Sequence, residues 1–188
     1  MSDARVPEEV LREILKHRLD TDEETFCCSK RPQWLLKIDR GGSPHPGDLL
    51  RVSKRWLRVG TPLLYKALFL WKPEHVKAVA QLLQAHPEVG KMIRYLRLEG
   101  SMGKDLAALV ENAPNIHTLY ICIRLQTSHS VAGLRKAIPL CNPKSVYVYS
   151  EARPWMVWLR PRNNRTIQAH KLVVSALRET WKDIVRFS

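Results

Sequence analysis

From Pro73 onward the apolar pattern of this chain switches repeatedly between two periods. Val76, Val79, Ala80 and Leu83 sit at i, i+3, i+4 and i+7, which predicts an amphipathic helix ending near His86-Pro87. Ile93-Arg94-Tyr95-Leu96-Arg97-Leu98 then alternates and stops at Glu99-Gly100, the pattern of a strand. Leu106, Leu109 and Val110 predict a helix over 104–112. Leu119, Ile121 and Ile123 predict a second strand, and Val131, Leu134 and Ile138 a short helix stopped by Pro139. Val146 and Val148 alternate with Tyr147 and Tyr149 in a third strand. Ile167, Val174, Leu177 and Trp181 predict a longer helix, and 183–187 a fourth strand. With Leu98, Ile121 and Val148 taken as equivalent, the units are 23 and 27 residues long. Those are lengths suited to a strand–helix repeat.

The N-terminal part has a different character. Pro7 suits the first turn of a helix, and Glu8 and Glu9 suit its positive end. Val10, Leu11, Ile14, Leu15 and Leu19 supply an apolar stripe. Residues 20–47 read as a loop or insertion, with an acidic run, Cys27-Cys28 and the anti-helical Gly41-Gly42-Ser43-Pro44-His45-Pro46-Gly47. Asp48 is expected to cap a second helix bearing Leu49, Leu50, Val52, Ser53, Trp56 and Leu57, which Gly60 stops. Thr61-Pro62 restarts a third, carrying Leu63, Leu64, Tyr65, Leu68, Phe69 and Leu70.

These residues resemble an F-box. Val6-Pro7-Glu8-Glu9-Val10-Leu11-Arg12-Glu13-Ile14-Leu15 looks like its opening. Leu49-Leu50-Arg51-Val52-Ser53-Lys54-Arg55-Trp56 is similar to its second helix, and Thr61-Pro62-Leu63-Leu64-Tyr65 to its third. The order fits; the 20–47 insertion is longer than the usual first connection. The resemblance implies a module that leaves apolar surface for a Skp adaptor and, through it, a cullin scaffold. The adaptor-facing positions it implies are Pro7, Val10, Leu11, Ile14, Leu50, Val52, Leu63 and Leu64, with Pro7, Leu11 and Leu50 foremost and Trp56 packed inside. The units that follow resemble irregular leucine-rich repeats, without the consensus asparagine ladder; a compact α/β domain is the alternative. The expected fold class is therefore mixed α+β or α/β repeat. A three-helix F-box-like module spans 1–70, and a leucine-rich-repeat-like body spans 71–188. The body ends straight after its last predicted strand, as a truncated or abbreviated member of a longer family would.

Charge divides along the same line. Residues 1–47 carry 8 Lys/Arg against 9 Asp/Glu, whereas residues 48–188 carry 23 against 9. A basic body points to an acidic partner, and nucleic acid is one candidate. The apolar runs are too short to span a bilayer, and the acidic N-terminus does not read as a secretory signal, so an intracellular place, cytoplasmic or nuclear, is expected. The four cysteines lack zinc-site spacing and read as free thiols. The seven histidines are scattered, and no catalytic constellation or cofactor motif is present in the sequence. Gly100-Ser101-Met102-Gly103-Lys104-Asp105 lacks phosphate-loop spacing and reads as a strand–helix turn. The segment 153–165 interleaves Trp155, Trp158, Arg160, Arg162 and Arg165. That mixture can cover the end of a core, contact a protein substrate or stack on single-stranded nucleic acid. The expected function is the non-enzymatic substrate receptor of an SCF-type ubiquitin ligase. The alternatives are a basic nucleic-acid-binding module and a truncated F-box-like protein without ligase activity.

Overall fold

A computed structural model describes residues 6–28, 45–100, 102–123, 130–149 and 164–187. The chain divides into two compact units, 1–67 and 68–188.

In the first unit, helix α1 spans Glu8–Leu19, with Pro7 as its N-cap, one position before the first helical residue, where the sequence places it. Helix α2, Glu23–Cys27, lies inside the stretch expected to be a loop. The acidic run there is a helix start: the Asp22 carboxylate accepts both the Thr25 backbone N–H and its hydroxyl at 2.8 Å. Those two bonds hold the Asp22 carboxyl below its ordinary pKa, because both favour the ionised form. A 3-10 helix covers Pro46–Arg51, started by a reciprocal pair in which His45 Nδ1 accepts from Gly47 N–H and Asp48 accepts from His45 N–H.

Helix α3 then runs unbroken over Lys54–Tyr65, capped by Ser53. The expected stop at Gly60 and restart at Pro62 are therefore corrected. Pro62 costs the helix one backbone bond, and Thr61 Oγ1 donates to the Leu57 carbonyl at 2.6 Å beside that gap. Gly60 has a packing task instead. A Cβ placed there would run into the side chains of Leu50, Leu19 and Leu15. Leu11, Leu15, Leu19, Leu50, Val59 and Leu63 form the core around this contact, with Leu49, Trp56 and Leu64 against it. Each fully buried leucine contributes about 1.5–3 kcal/mol. At the margin, Lys66 pairs with Asp20 at 2.8 Å and Arg58 with Glu8 at 2.7 Å, and Arg55 donates to the Val6 carbonyl.

The second unit is mixed α/β. Residues Ala67–Leu70, expected to belong to the third helix, form strand β1 instead. Helices α4 (Pro73–Ala85) and α5 (Pro87–Gly90) lead to β2 (Tyr95–Glu99); α6 (Leu106–Glu111) leads to β3 (Thr118–Cys122). Helix α7 (Ala132–Ala137) ends two residues before Pro139, as expected, and a 3-10 turn, Ile138–Leu140, follows it. Strand β4 (Ser145–Tyr149), helix α8 (Asn164–Glu179) and the short β5 (Arg186–Phe187) complete the unit. The strands form one sheet in chain order, β1-β2-β3-β4-β5. From β2 to β5 each runs parallel to the next, with Leu98 opposite Ile121 and Ile121 opposite Val148. The three positions equated from spacing are thus one row of the sheet.

Parallel neighbours require a crossover between them, and the short helices provide it. Helix α4 packs on α6, α6 on α7, and the 3-10 turn on α8. Leu96, Leu98, Leu119, Ile121 and Val146 are buried with Leu83, Leu106, Leu109, Leu134 and Val173 from those helices. Asparagines tie adjacent units: Asn115 Nδ2 donates to the Lys91 carbonyl at 2.8 Å, and Asn142 Oδ1 accepts Lys182 N–H at 3.1 Å. Trp181 Nε1 reaches the Ile138 carbonyl at 3.2 Å. The turn into α6 uses Gly100 and Gly103 at positive φ. Gly90 abuts the Asn112 carbonyl so closely that a Cβ would collide with it.

Two glycine substitutions test these contacts by urea denaturation. Gly60→Val is expected to destabilise the first unit and Gly90→Ala the second, each by about 1–3 kcal/mol through overpacking. Unchanged midpoints would show that the close approaches do not exist.

Candidate functional sites

Helix α1 carries two apolar stripes. Leu11, Leu15 and Leu19 face the core, whereas Val10 and Ile14, one helical turn apart, are 48% and 51% exposed. Val52, just past the 3-10 helix, is 60% exposed, and Pro7 is exposed at the head of α1. A shallow depression on α1 is lined by Glu9, Val10, Arg12, Glu13 and Lys16. Glu13 accepts from Lys16 at 2.6 Å, and that bond lowers the Glu13 pKa; at this exposure the pair contributes little stability.

The eight positions implied to face an adaptor therefore separate. Pro7, Val10, Ile14 and Val52 are uncovered, Leu64 is half-buried, and Leu11, Leu50 and Leu63 are core. Leu11 and Leu50, which the resemblance put foremost, are among the buried ones. Helix α3 approaches α1 at Gly60, and that approach takes up one stripe of α1 completely. Trp56 packs against this core.

In the second unit, the side chains alternating with the buried apolar row share the other sheet face. Tyr95, Arg97 and Glu99 of β2 stand in register with Thr118, Tyr120 and Cys122 of β3, and these with Ser145, Tyr147 and Tyr149 of β4. Arg97 is 1% exposed. Its guanidinium lies 4.0 Å from the Tyr120 ring centre and 5.9 Å from that of Phe69, and it pairs with Glu99 at 2.6 Å. The ring faces and the carboxylate together compensate a charge that would otherwise be costly to bury. Tyr120 stacks on Tyr149 at 6.4 Å, and its hydroxyl is buried with no hydrogen-bond partner among the described residues. Burial pushes its pKa far up, against the opposing effect of Arg97. Arg186 donates to the Tyr147 hydroxyl at 3.2 Å.

Neither Arg97 nor this tyrosine array was singled out from sequence. The signal was available, because Tyr147 and Tyr149 alternate with Val146 and Val148, and Arg97 is flanked by Leu96 and Leu98. Of the candidate substrate residues, Trp155, Trp158, Arg160 and Arg162 lie outside the described residues; Arg165 is exposed in the first turn of α8.

None of the four cysteines forms a disulfide. Burial pushes the Cys141 thiol up to about 11, while Cys28 is exposed. Among the described residues, no group of three His, Cys, Asp or Glu could hold a metal ion, and no helix is long and apolar enough to cross a membrane. Compared with family models, curated proteins and solved structures, the chain matches none of them.

Two measurements check this geometry. Tyr120→Phe is expected to be neutral or to stabilise by about 1 kcal/mol, because it removes an unpartnered buried hydroxyl; Glu99→Leu is expected to destabilise by about 3 kcal/mol, because it removes the carboxylate paired with the buried Arg97 charge. Alkylation at neutral pH, followed by peptide mass mapping, is expected to label Cys28 well before Cys141, since the thiolate is the reactive form.

Proposed function

We propose that this protein is a substrate-receptor subunit of an SCF-type cullin–RING ubiquitin ligase. It has no catalytic role of its own and joins a Skp adaptor to a protein substrate. The observation that carries this reading is the uncovered Val10–Ile14 stripe on a helix whose other stripe is fully committed to the core. Aligned apolar side chains on a small helical module form an apolar surface suited to a partner. They sit within residues that follow the F-box order, with Pro7 and Val52 also uncovered.

The second unit supports the receptor half of the reading. Its strands, in chain order and parallel register with helices between them, suit an irregular leucine-rich-repeat-like solenoid, and such repeats offer extended binding faces. On the sheet face opposite the helices, Tyr95, Tyr147 and Tyr149 keep part of their surface in solvent, whereas Arg97, Thr118 and Tyr120 beside them are buried. A second reading, a basic nucleic-acid-binding module, is favoured by the charge of the body, 23 Lys/Arg against 9 Asp/Glu over 48–188. It requires binding to DNA or RNA that persists at about 0.1 M salt.

Co-expression with a Skp adaptor tests the first reading. The wild-type chain is expected to co-elute with the adaptor. The double variant Val10→Asp, Ile14→Asp is expected to bind at least about tenfold more weakly, because it puts charge into an apolar contact. Both positions are exposed, so circular dichroism should show an unchanged fold. Failure of the wild type to bind any Skp adaptor ends the ligase reading.

A further inference from the structure

The sheet carries a second regular row, one residue before the strands begin. His117 N–H donates to the Arg94 carbonyl at 2.8 Å, Lys144 N–H to the His117 carbonyl at 2.9 Å, and Val185 N–H to the Lys144 carbonyl at 2.7 Å. Arg94, His117, Lys144 and Val185 are therefore neighbours across four successive strands. All four side chains are exposed. Val185, at 84%, is the most exposed large apolar side chain among the described residues.

Their partners are as informative as their positions. Among the described residues, the His117 ring reaches its neighbour, the Thr118 hydroxyl, at 3.2 Å. The Arg94 and Lys144 side chains have no carboxylate partner among the described residues. The carboxylates near this end of the sheet are engaged elsewhere or stand at a helix end. Asp183 accepts from Asn142, Glu88 faces His86, and Glu179 accepts from Ser175; Glu111 ends α6. Lys91 and Lys182, both exposed, add two more cations to the turns leading into β2 and β5.

We propose that this row, Arg94–His117–Lys144–Val185, docks an extended acidic protein segment carrying an apolar side chain at one end. Adjacent strands lie about 4.8 Å apart, so Arg94 and Lys144 are separated by roughly 10 Å. An extended segment in the polyproline II conformation advances about 3.1 Å per residue with three residues per turn, so carboxylates or phosphates three positions apart lie on one face about 9 Å apart and would meet the two cations together. His117 offers a hydrogen bond between them. Val185 offers an apolar contact beyond them. The charge of the body draws such a segment from solution, and the row supplies spacing and polarity. This docking is independent of the adaptor-binding surface, because it uses other residues in another unit. It would stand or fall on its own even if no Skp adaptor bound.

Fluorescence anisotropy of a labelled oligoglutamate with a terminal leucine, titrated with the full chain, tests the proposal. Binding is expected at about 0.05 M salt and is expected to weaken as salt rises. The pair Arg94→Glu, Lys144→Glu is expected to weaken it about tenfold. The pair Lys171→Glu, Arg178→Glu on α8 makes the same change in net charge and is expected to have less than about a twofold effect. Val185→Ser is expected to erase the preference for the leucine-ended probe over plain oligoglutamate. No binding at low salt overturns the proposal, as does equal weakening by the α8 pair. Tighter binding of oligouridylate through the same Arg94 and Lys144 would also overturn it and assign the row to nucleic acid.

Discussion

The parallel register from β2 to β4 is the constraint on which most of the second unit depends. Parallel neighbours cannot be joined by a tight turn, so each connection must travel back along the sheet. The short helices make that journey, each packing on the next, and their apolar faces cover Leu96, Leu98, Leu119, Ile121 and Val146. Register then acts at every position of the strand together. It aligns the apolar residues in one row, Arg97, Tyr120 and Tyr147 in another, and Arg94, His117 and Lys144 at the strand starts. A slip of one residue would exchange the two faces and bury charge without compensation. The contact of Arg97 with Tyr120 reinforces the same register from the opposite side.

The first unit depends on closeness. Its core is small, and α1 must lie tightly against α3 for the available leucines to fill it. Gly60 permits that approach, and Leu15, Leu19 and Leu50 converge on it. The consequence is a division of labour on α1. One stripe stabilises the module, and the adjacent stripe remains outside it. The adaptor surface proposed here would be preorganised, because its helix is held from behind, and preorganisation reduces the entropy lost on association.

Much of this architecture is legible in the sequence. Period alone locates α1, α4 and the strands around Leu98, Ile121 and Val148, because side-chain periodicity reports which positions share a face. Local rules misread several places. Gly60 and Pro62 carry helix-breaking preferences, yet packing holds α3 continuous through both. Residues 23–27 look like acidic loop, yet the Asp22 cap nucleates a helix there. Ala67–Leu70 continues a helical apolar cluster, yet it pairs into the sheet as β1, where the unpaired edge of β2 provides hydrogen bonds that no local pattern announces.

The sequence by itself determined the two-part organisation, the uneven charge, the strand–helix alternation and the set of apolar side chains available on α1. It could do so because each is a property of composition or of local period. Tertiary structure decided which of those side chains are spent on the core and which face outward. Leu11 and Val10 are adjacent on one helix and equally apolar, and only the approach of α3 at Gly60 separates them. It likewise decided that Arg97 would meet Tyr120 and that Arg94, His117 and Lys144 would form a row, because those neighbours come from different strands and are joined only by register.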